Sequence, residues 1–180
     1  MSFDISALKV LFKKVFPPKK SIYTVDTTGD GKADALLIKA LNIIMPIQVP
    51  REIEVGGFST KDFDINNFEL TDYGKLFLDD APITVSKKDF EIAKLKDHFT
   101  FYLNKERFTI DDLLSGKLAG KIIALGDTIN ILIKIDEDGL GKFSEGKHNF
   151  KFKSEIIPTL EFNFELGKEN LNQSFDSVIK

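Results

Sequence analysis

One short run after another in this chain alternates an apolar residue with a polar one. Leu160-Glu161-Phe162-Asn163-Phe164-Glu165-Leu166 does so without a break, and so does His148-Asn149-Phe150-Lys151-Phe152-Lys153. In an extended strand successive side chains point to opposite faces, so each run has one face to bury and one to wet. Ile22-Tyr23-Thr24-Val25, Leu76-Phe77-Leu78, Phe99 to Leu103 and Ile129 to Ile135 are further strand candidates, separated by Gly, Pro and Asp clusters. That spacing of short strands and turn signals predicts an all-β sandwich or barrel. The 17 phenylalanines, against 3 tyrosines and no tryptophan, often sit beside Ile, Val or Thr, which suits half-buried pleated surfaces.

The expected fold is therefore mainly β: an antiparallel β-sandwich or flattened barrel with one short N-terminal amphipathic helix. A chain of 180 residues is expected to form a single domain over 1–180, with a helix over 3–16, a β domain over 17–167 and a polar tail over 168–180 that frays. In the helix, Ile5, Leu8, Leu11, Phe12 and Val15 recur at helical spacing while Lys9, Lys13 and Lys14 take the other face. Pro17-Pro18 stops it. Packing on the domain is the expected role. Peripheral membrane contact through residues 3–20 is the less favoured alternative, because the helix is short and carries few lysines.

Several local features refine the picture. The two prolines of Met45-Pro46-Ile47-Gln48-Val49-Pro50 suit an edge segment or a sheet crossing. Thr109 is placed to cap one helical turn, with Asp111 and Asp112 at its positive end and Gly116 closing it. Asp136-Glu137-Asp138-Gly139 reads as a hairpin turn. A Lys-Asp-Phe-acid-Ile echo, at Lys61 to Ile65 and Lys88 to Ile92, is read as two similar strands and not as a repeat.

Composition excludes more than it assigns. A net charge of -3 gives no general attraction to nucleic acid. There is no cysteine, hence no disulfide, zinc-thiolate site or thiol nucleophile. No run approaches the roughly 20 apolar residues that span a bilayer, and the start does not read as a secretory signal, so the compartment is left open. Metalloprotease, phosphate-loop, dinucleotide-loop and nucleophile-elbow motifs are absent. His98 and His148 read as strand or surface residues, not catalysts. No catalytic residue is assigned, and a hydrolase working through carboxylates is a minor alternative.

One loop carries candidate chemistry. Asp26, Asp30 and Asp34 fall within nine residues, with Thr28 between them and Gly29 and Gly31 flanking Asp30. Three such carboxylates repel one another, and a hard cation held by several oxygens relieves that repulsion. The alternative is a solvated acidic hairpin turn, for which Asp-Gly is favoured chemistry. Asp26-x-Thr28-x-Asp30-Gly31-Lys32-x-Asp34 resembles the calcium loop of integrin-type FG-GAP repeats. The resemblance implies Asp26, Asp30 and Asp34 as carboxylate ligands of Ca²⁺, Thr28 as the third-place oxygen, and the Lys32 carbonyl as a further ligand. With a single copy it implies a loop and not a propeller, and Leu37 stands where an EF-hand has its bidentate glutamate.

The expectation is a non-enzymatic binding or structural module carrying one Ca²⁺-binding hairpin loop, with another protein or an apolar small molecule as partner. The alternatives are a carrier of a lipid or other apolar ligand, and a subunit of a larger protein assembly.

Overall fold

The computed structural model describes residues 14–51, 54–55, 58–59, 74–83, 98–135, 137–154 and 159–179. In chain order the strands are β1 (Ile22–Asp26), β2 (Ala35–Leu41), β3 (Ile47–Gln48), β4 (Glu54–Val55), β5 (Phe58–Ser59), β6 (Gly74–Leu78) and β7 (Ala81–Pro82). They continue with β8 (Phe99–Leu103), β9 (Glu106–Thr109), β10 (Ile122–Ile123), β11 (Thr128–Lys134), β12 (Gly146–Ser154), β13 (Leu160–Leu166) and β14 (Gln173–Ser174). Among the described residues, short helices with both ends described are α1 (Ile110–Leu114), α2 (Glu137–Leu140) and α3 (Phe175–Val178).

The architecture is mainly β, as expected, in sandwich form. A six-stranded sheet runs β14-β1-β2-β11-β8-β9, and a four-stranded sheet runs β13-β12-β6-β7. All pairings in both sheets are antiparallel except that of β14 with β1. Ile22, Leu36, Ile38 and Ile133 of the larger sheet share one core with Leu78, Phe150, Phe162, Phe164 and Leu166 of the smaller. The alternation read from the sequence sets this face. Phe162, Phe164 and Leu166 turn inward, while Asn149, Glu161 and Asn163 bond one another on the outer face. Phenylalanines pack ring on ring: Phe16 stacks on Phe162 at 4.7 Å, and Phe150 lies 5.2 Å from Phe162. Phe150, Phe162 and Phe164 fill the core between the two sheets.

β2 is buried on both faces. Leu36 and Ile38 face the smaller sheet, while Ala35 and Leu37 join Val25 and Leu132 in a second cluster on the far side. That cluster is closed by Val178 and Phe175 of α3, with Phe175 5.3 Å from Tyr102.

This corrects the expectation of a fraying polar tail over 168–180. Residues 168–179 form a 3₁₀ turn (Lys168–Asn170), then β14, then α3. Val178 and Ile179 are buried. Asn170, 1% exposed, ties the segment down by donating to the carbonyls of Lys19 and Ile22. The polar average of the segment hid its few apolar anchors, and its partner surface exists only once the larger sheet has formed.

Thr109 caps α1, its hydroxyl accepting from Asp112 N–H while Asp112 accepts from Thr109 N–H. The hairpin turn expected at Asp136 to Gly139 is corrected: Glu137–Leu140 is a helical turn. It carries the chain from β11 of one sheet to β12 of the other, and Ile135, Leu140 and Phe143 are buried on the way. The expected helix over 3–16 lies outside the described residues except at its end, where Lys14 and Val15 are helical. The Lys-Asp-Phe echo and the strands expected around Phe63 to Leu70 and Phe90 to Ile92 also lie outside them.

Candidate functional site

The acidic loop joins β1 to β2, which pair antiparallel with Val25 opposite Ala35. Asp26 closes β1 and is 9% exposed. Its Oδ1 accepts from the N–H of Thr28 (2.9 Å) and Gly29 (2.7 Å) and from the Thr28 hydroxyl (3.1 Å). Its Oδ2 accepts from Gly31 N–H at 2.7 Å. Gly29 and Gly31 stand at φ +83 and +85, the left-handed region that lets consecutive amides turn inward around one carboxylate.

Asp34 is spent on Thr27, taking its N–H at 2.8 Å and its hydroxyl at 2.6 Å. Asp30 is exposed and accepts only locally, from Lys32 N–H at 2.9 Å. The Gly31 carbonyl accepts from Asn172 Nδ2 at 2.7 Å, so the docked C-terminal segment braces the loop from outside. Sequence reasoning missed Asn172, 141 residues away, because nothing local marks it.

Of the residues the calcium resemblance implied, Asp26 and Thr28 are brought together, but by a hydrogen bond between them. Among the described residues no three His, Cys, Asp or Glu side chains form a group that could hold a metal. A Ca²⁺ ion needs several oxygens converging on one point. In the arrangement described, the Asp26 and Asp34 oxygens accept from N–H and O–H donors of the loop. The loop meets its own negative charge with its own amides.

The electrostatics follow. The Gly31 N–H does most to hold the Asp26 carboxyl below its ordinary value; burial pushes it up, and the donors on Gly29 and Thr28 reinforce the lowering. A carboxyl depressed in the folded state adds stability above its unfolded value, about 3.9, and loses it as the pH falls through the folded value. Melting temperatures taken from about pH 6 down to pH 2 are expected to fall more steeply for the native chain than for Asp26→Asn. Equal slopes would remove Asp26 as a source of acid lability.

A second feature lies at the β3–β10 ribbon. Ile44, Met45, Ile47, Ile122 and Leu125 are large aliphatic residues left between 40% and 63% exposed. β3 and β10 pair with each other, Ile123 opposite Ile47 and Ile122 opposite Gln48. The ribbon therefore shows Ile47 on one face and Ile122 on the other. Asn42, 6% exposed, holds it: Nδ2 donates to the carbonyls of Met45, Ile123 and Ala124 at 2.8 to 3.0 Å, and Oδ1 accepts from Ile44 N–H. Asp127 pins the turn carrying Leu125, its Oδ2 accepting from Ala124 N–H at 2.6 Å.

A third is an open cavity of about 550 Å³ at the end of β12 and β13, lined by Pro18, Asp79, Lys147, His148, Phe164 and Glu165 among others. His148 is a strand residue as expected, but its side chain is only 8% exposed. It shares the inward phase of Phe150 and lies 5.4 Å from the Phe164 ring. His98, just before β8, has Nδ1 3.3 Å from the Lys134 carbonyl.

Fold and loop together define a two-sheet β domain with a self-capped acidic hairpin and a pinned apolar ribbon. No protein-family description matches the chain, and no curated protein matches it significantly.

Proposed function

We propose that the protein is a non-enzymatic binding module that docks a partner protein through the β3–β10 ribbon. The observation that carries this reading is the exposure of five large aliphatic side chains on segments held rigid by Asn42 and Asp127. Exposed apolar clusters are costly in water, and a preorganised one loses little further entropy on binding. With Ile47 and Ile122 on opposite faces, the ribbon suits a partner that offers an apolar cleft. A protein fits better than an anionic membrane, because Lys121, next to β10, is already paired with Glu106 at 2.6 Å. Assembly into a larger complex is the same reading with a permanent partner.

A photoreactive residue at position 125 is expected to give one discrete cross-linked adduct in extracts of the source cell, and a control at Lys147 is not. Ile122→Glu should abolish the adduct while changing stability by no more than about 0.5 kcal/mol. Identical adducts at both positions, or none at 125, would sink the proposal.

Calcium capture by the loop stands as a separate proposal. It draws on the three aspartates within nine residues, whose carboxylates have lone pairs beyond those that the loop donors use. Calorimetric titration with millimolar Ca²⁺ tests it directly.

A further inference from the structure

We propose that the open cavity over β12 and β13 is a binding site for a neutral saccharide, with Asn149 and Asn163 as the pair that recognises two adjacent hydroxyls. Strand register builds the site. Asn149 stands opposite Asn163 and Lys147 opposite Glu165, so all four side chains rise from the outer face of the smaller sheet. The chain flanks this pair of strands on both sides. Asp79 N–H donates to the Asn149 carbonyl, which sets the β6–β7 turn beside β12. Glu165 N–H donates to the Pro18 carbonyl at 2.8 Å, which sets Pro18 beside β13. Four segments side by side span about 14 Å at ordinary strand spacing. The cavity of about 550 Å³ lies on them, within the size range of small-molecule sites.

The hydrogen bonds of the outer face orient both amides. Asn149 Nδ2 donates to Glu161 Oε1 at 3.0 Å and to Asn163 Oδ1 at 2.9 Å. A carboxylate only accepts, so Glu161 decides which end of the Asn149 amide faces it, and Asn149 in turn orients Asn163. Both N–H groups of the Asn149 amide are thereby engaged and its Oδ1 is left over. The Asn163 oxygen is engaged and its Nδ2 is left over. Among the described residues, neither left-over group has a protein partner. An acceptor and a donor therefore stand side by side on neighbouring strands. A hydroxyl both donates and accepts. Two adjacent hydroxyls of one sugar ring meet this pair, one donating to Asn149 Oδ1 and the next accepting from Asn163 Nδ2. Asn149 is locked before the ligand arrives, so little side-chain freedom is lost on binding.

The charges around the cavity select against ions. Among the described residues Lys147 has no ion-pair partner, so its ammonium is free to donate. Asp79 and Glu165 are carboxylates on the same lining. Glu165 has Lys19 at 3.4 Å, and Asp79 is held by the Asn149 N–H and the His148 ring. An anion drawn to Lys147 would lie among two carboxylates. A cation drawn to the carboxylates would meet the Lys147 ammonium. A neutral polyol accepts from the one and donates to the others, with no net charge to desolvate. The exposed Pro18 adds apolar surface for the C–H side of a sugar ring.

Magnetic resonance of the isotope-labelled full chain tests the site, read at the side-chain amide signals of Asn149 and Asn163. The probes are glucose, galactose, N-acetylglucosamine, cellobiose, maltose and lactose. At least one of these is expected to move both signals saturably, with a Kd in the millimolar range that a few hydrogen bonds supply. Glucuronate and glucosamine, the charged counterparts, should bind at least about fivefold more weakly than the best neutral sugar. Asn163→Ala, read at Asn149, and Lys147→Met each change an exposed side chain and should weaken that sugar about fivefold or more. Lys105→Met, at an exposed lysine in the β8–β9 turn, should not. The proposal is overturned by the lack of a saturable shift with every probe up to about 50 mM. Tighter binding of either charged sugar, or an unchanged affinity in Asn163→Ala, overturns it equally.

Discussion

Replacing Phe164 with alanine is expected to destabilise the protein by about 3–5 kcal/mol, the range for emptying a buried aromatic site. For a chain of this size that is a drop of roughly 6–20 °C in melting temperature. Phe164 is 2% exposed and sits where the two sheets meet, with Phe162 at 6.3 Å and the His148 ring at 5.4 Å. It belongs to the cluster that joins residues of both sheets, so removing the ring leaves a cavity in that shared core. Phe77 is the control. It is only partly buried, and the Lys153 ammonium lies over its ring at 5.0 Å. Phe77→Ala should cost markedly less. Urea unfolding of both variants measures the difference. Similar losses at the two positions would mean that the sheets do not meet at Phe164.

The second large effect is expected at Asp26. Removing its carboxylate in Asp26→Ala leaves three backbone N–H groups and the Thr28 hydroxyl without their acceptor. Asp34→Ala strands only the two donors of Thr27. Asp30→Ala, at an exposed site, should stay within about 0.5 kcal/mol of the native chain. The expected order of destabilisation in calcium-free buffer is therefore Asp26, then Asp34, then Asp30. A loop organised by an ion gives a different pattern: three similar dependences, visible only when Ca²⁺ is present, and a native melting temperature that rises with the ion. The two accounts separate in one set of melts. Asp26→Asn adds a further test, because its amide turns N–H groups toward donors where Asp26 offers oxygen.

Much of this was legible along the chain. Thr109 and Asp112 close a capping box across three residues, and such a contact can be read from spacing alone. The strands at Thr128, Gly146 and Leu160 announce themselves by alternation, because burial of one sheet face imposes a period of two on the sequence, while those at Ile22 and Phe99 show as short β-prone runs between turn signals. The acidic loop was legible as a hairpin turn for the same local reason. The orientation of its carboxylates was not. Three aspartates in nine residues are compatible with an ion or with inward-turned amides, and the sequence lists side chains while the competing donors are backbone N–H groups.

His148 shows the boundary well. Its phase with Phe150 could have marked it as an inward residue, but its partner Asp79 lies 69 residues earlier, and no spacing rule joins them. The apolar ribbon depends on Asn42 reaching a carbonyl 81 residues away. The C-terminal segment looked polar enough to fray, yet Phe175, Val178 and Asn170 find partners on and beside β1 and β2.

What the sequence determined alone was the main strands at Ile22, Ala35, Phe99, Thr128, Gly146 and Leu160 and the turn between the first two, since these follow from periods of a few residues. Tertiary structure decided what each polar group binds. The His148 ring and the Asn42 amide are satisfied in part by Asp79 and by the Ile123 carbonyl, far away in the chain, which come within 3.0 Å only after the strands have paired.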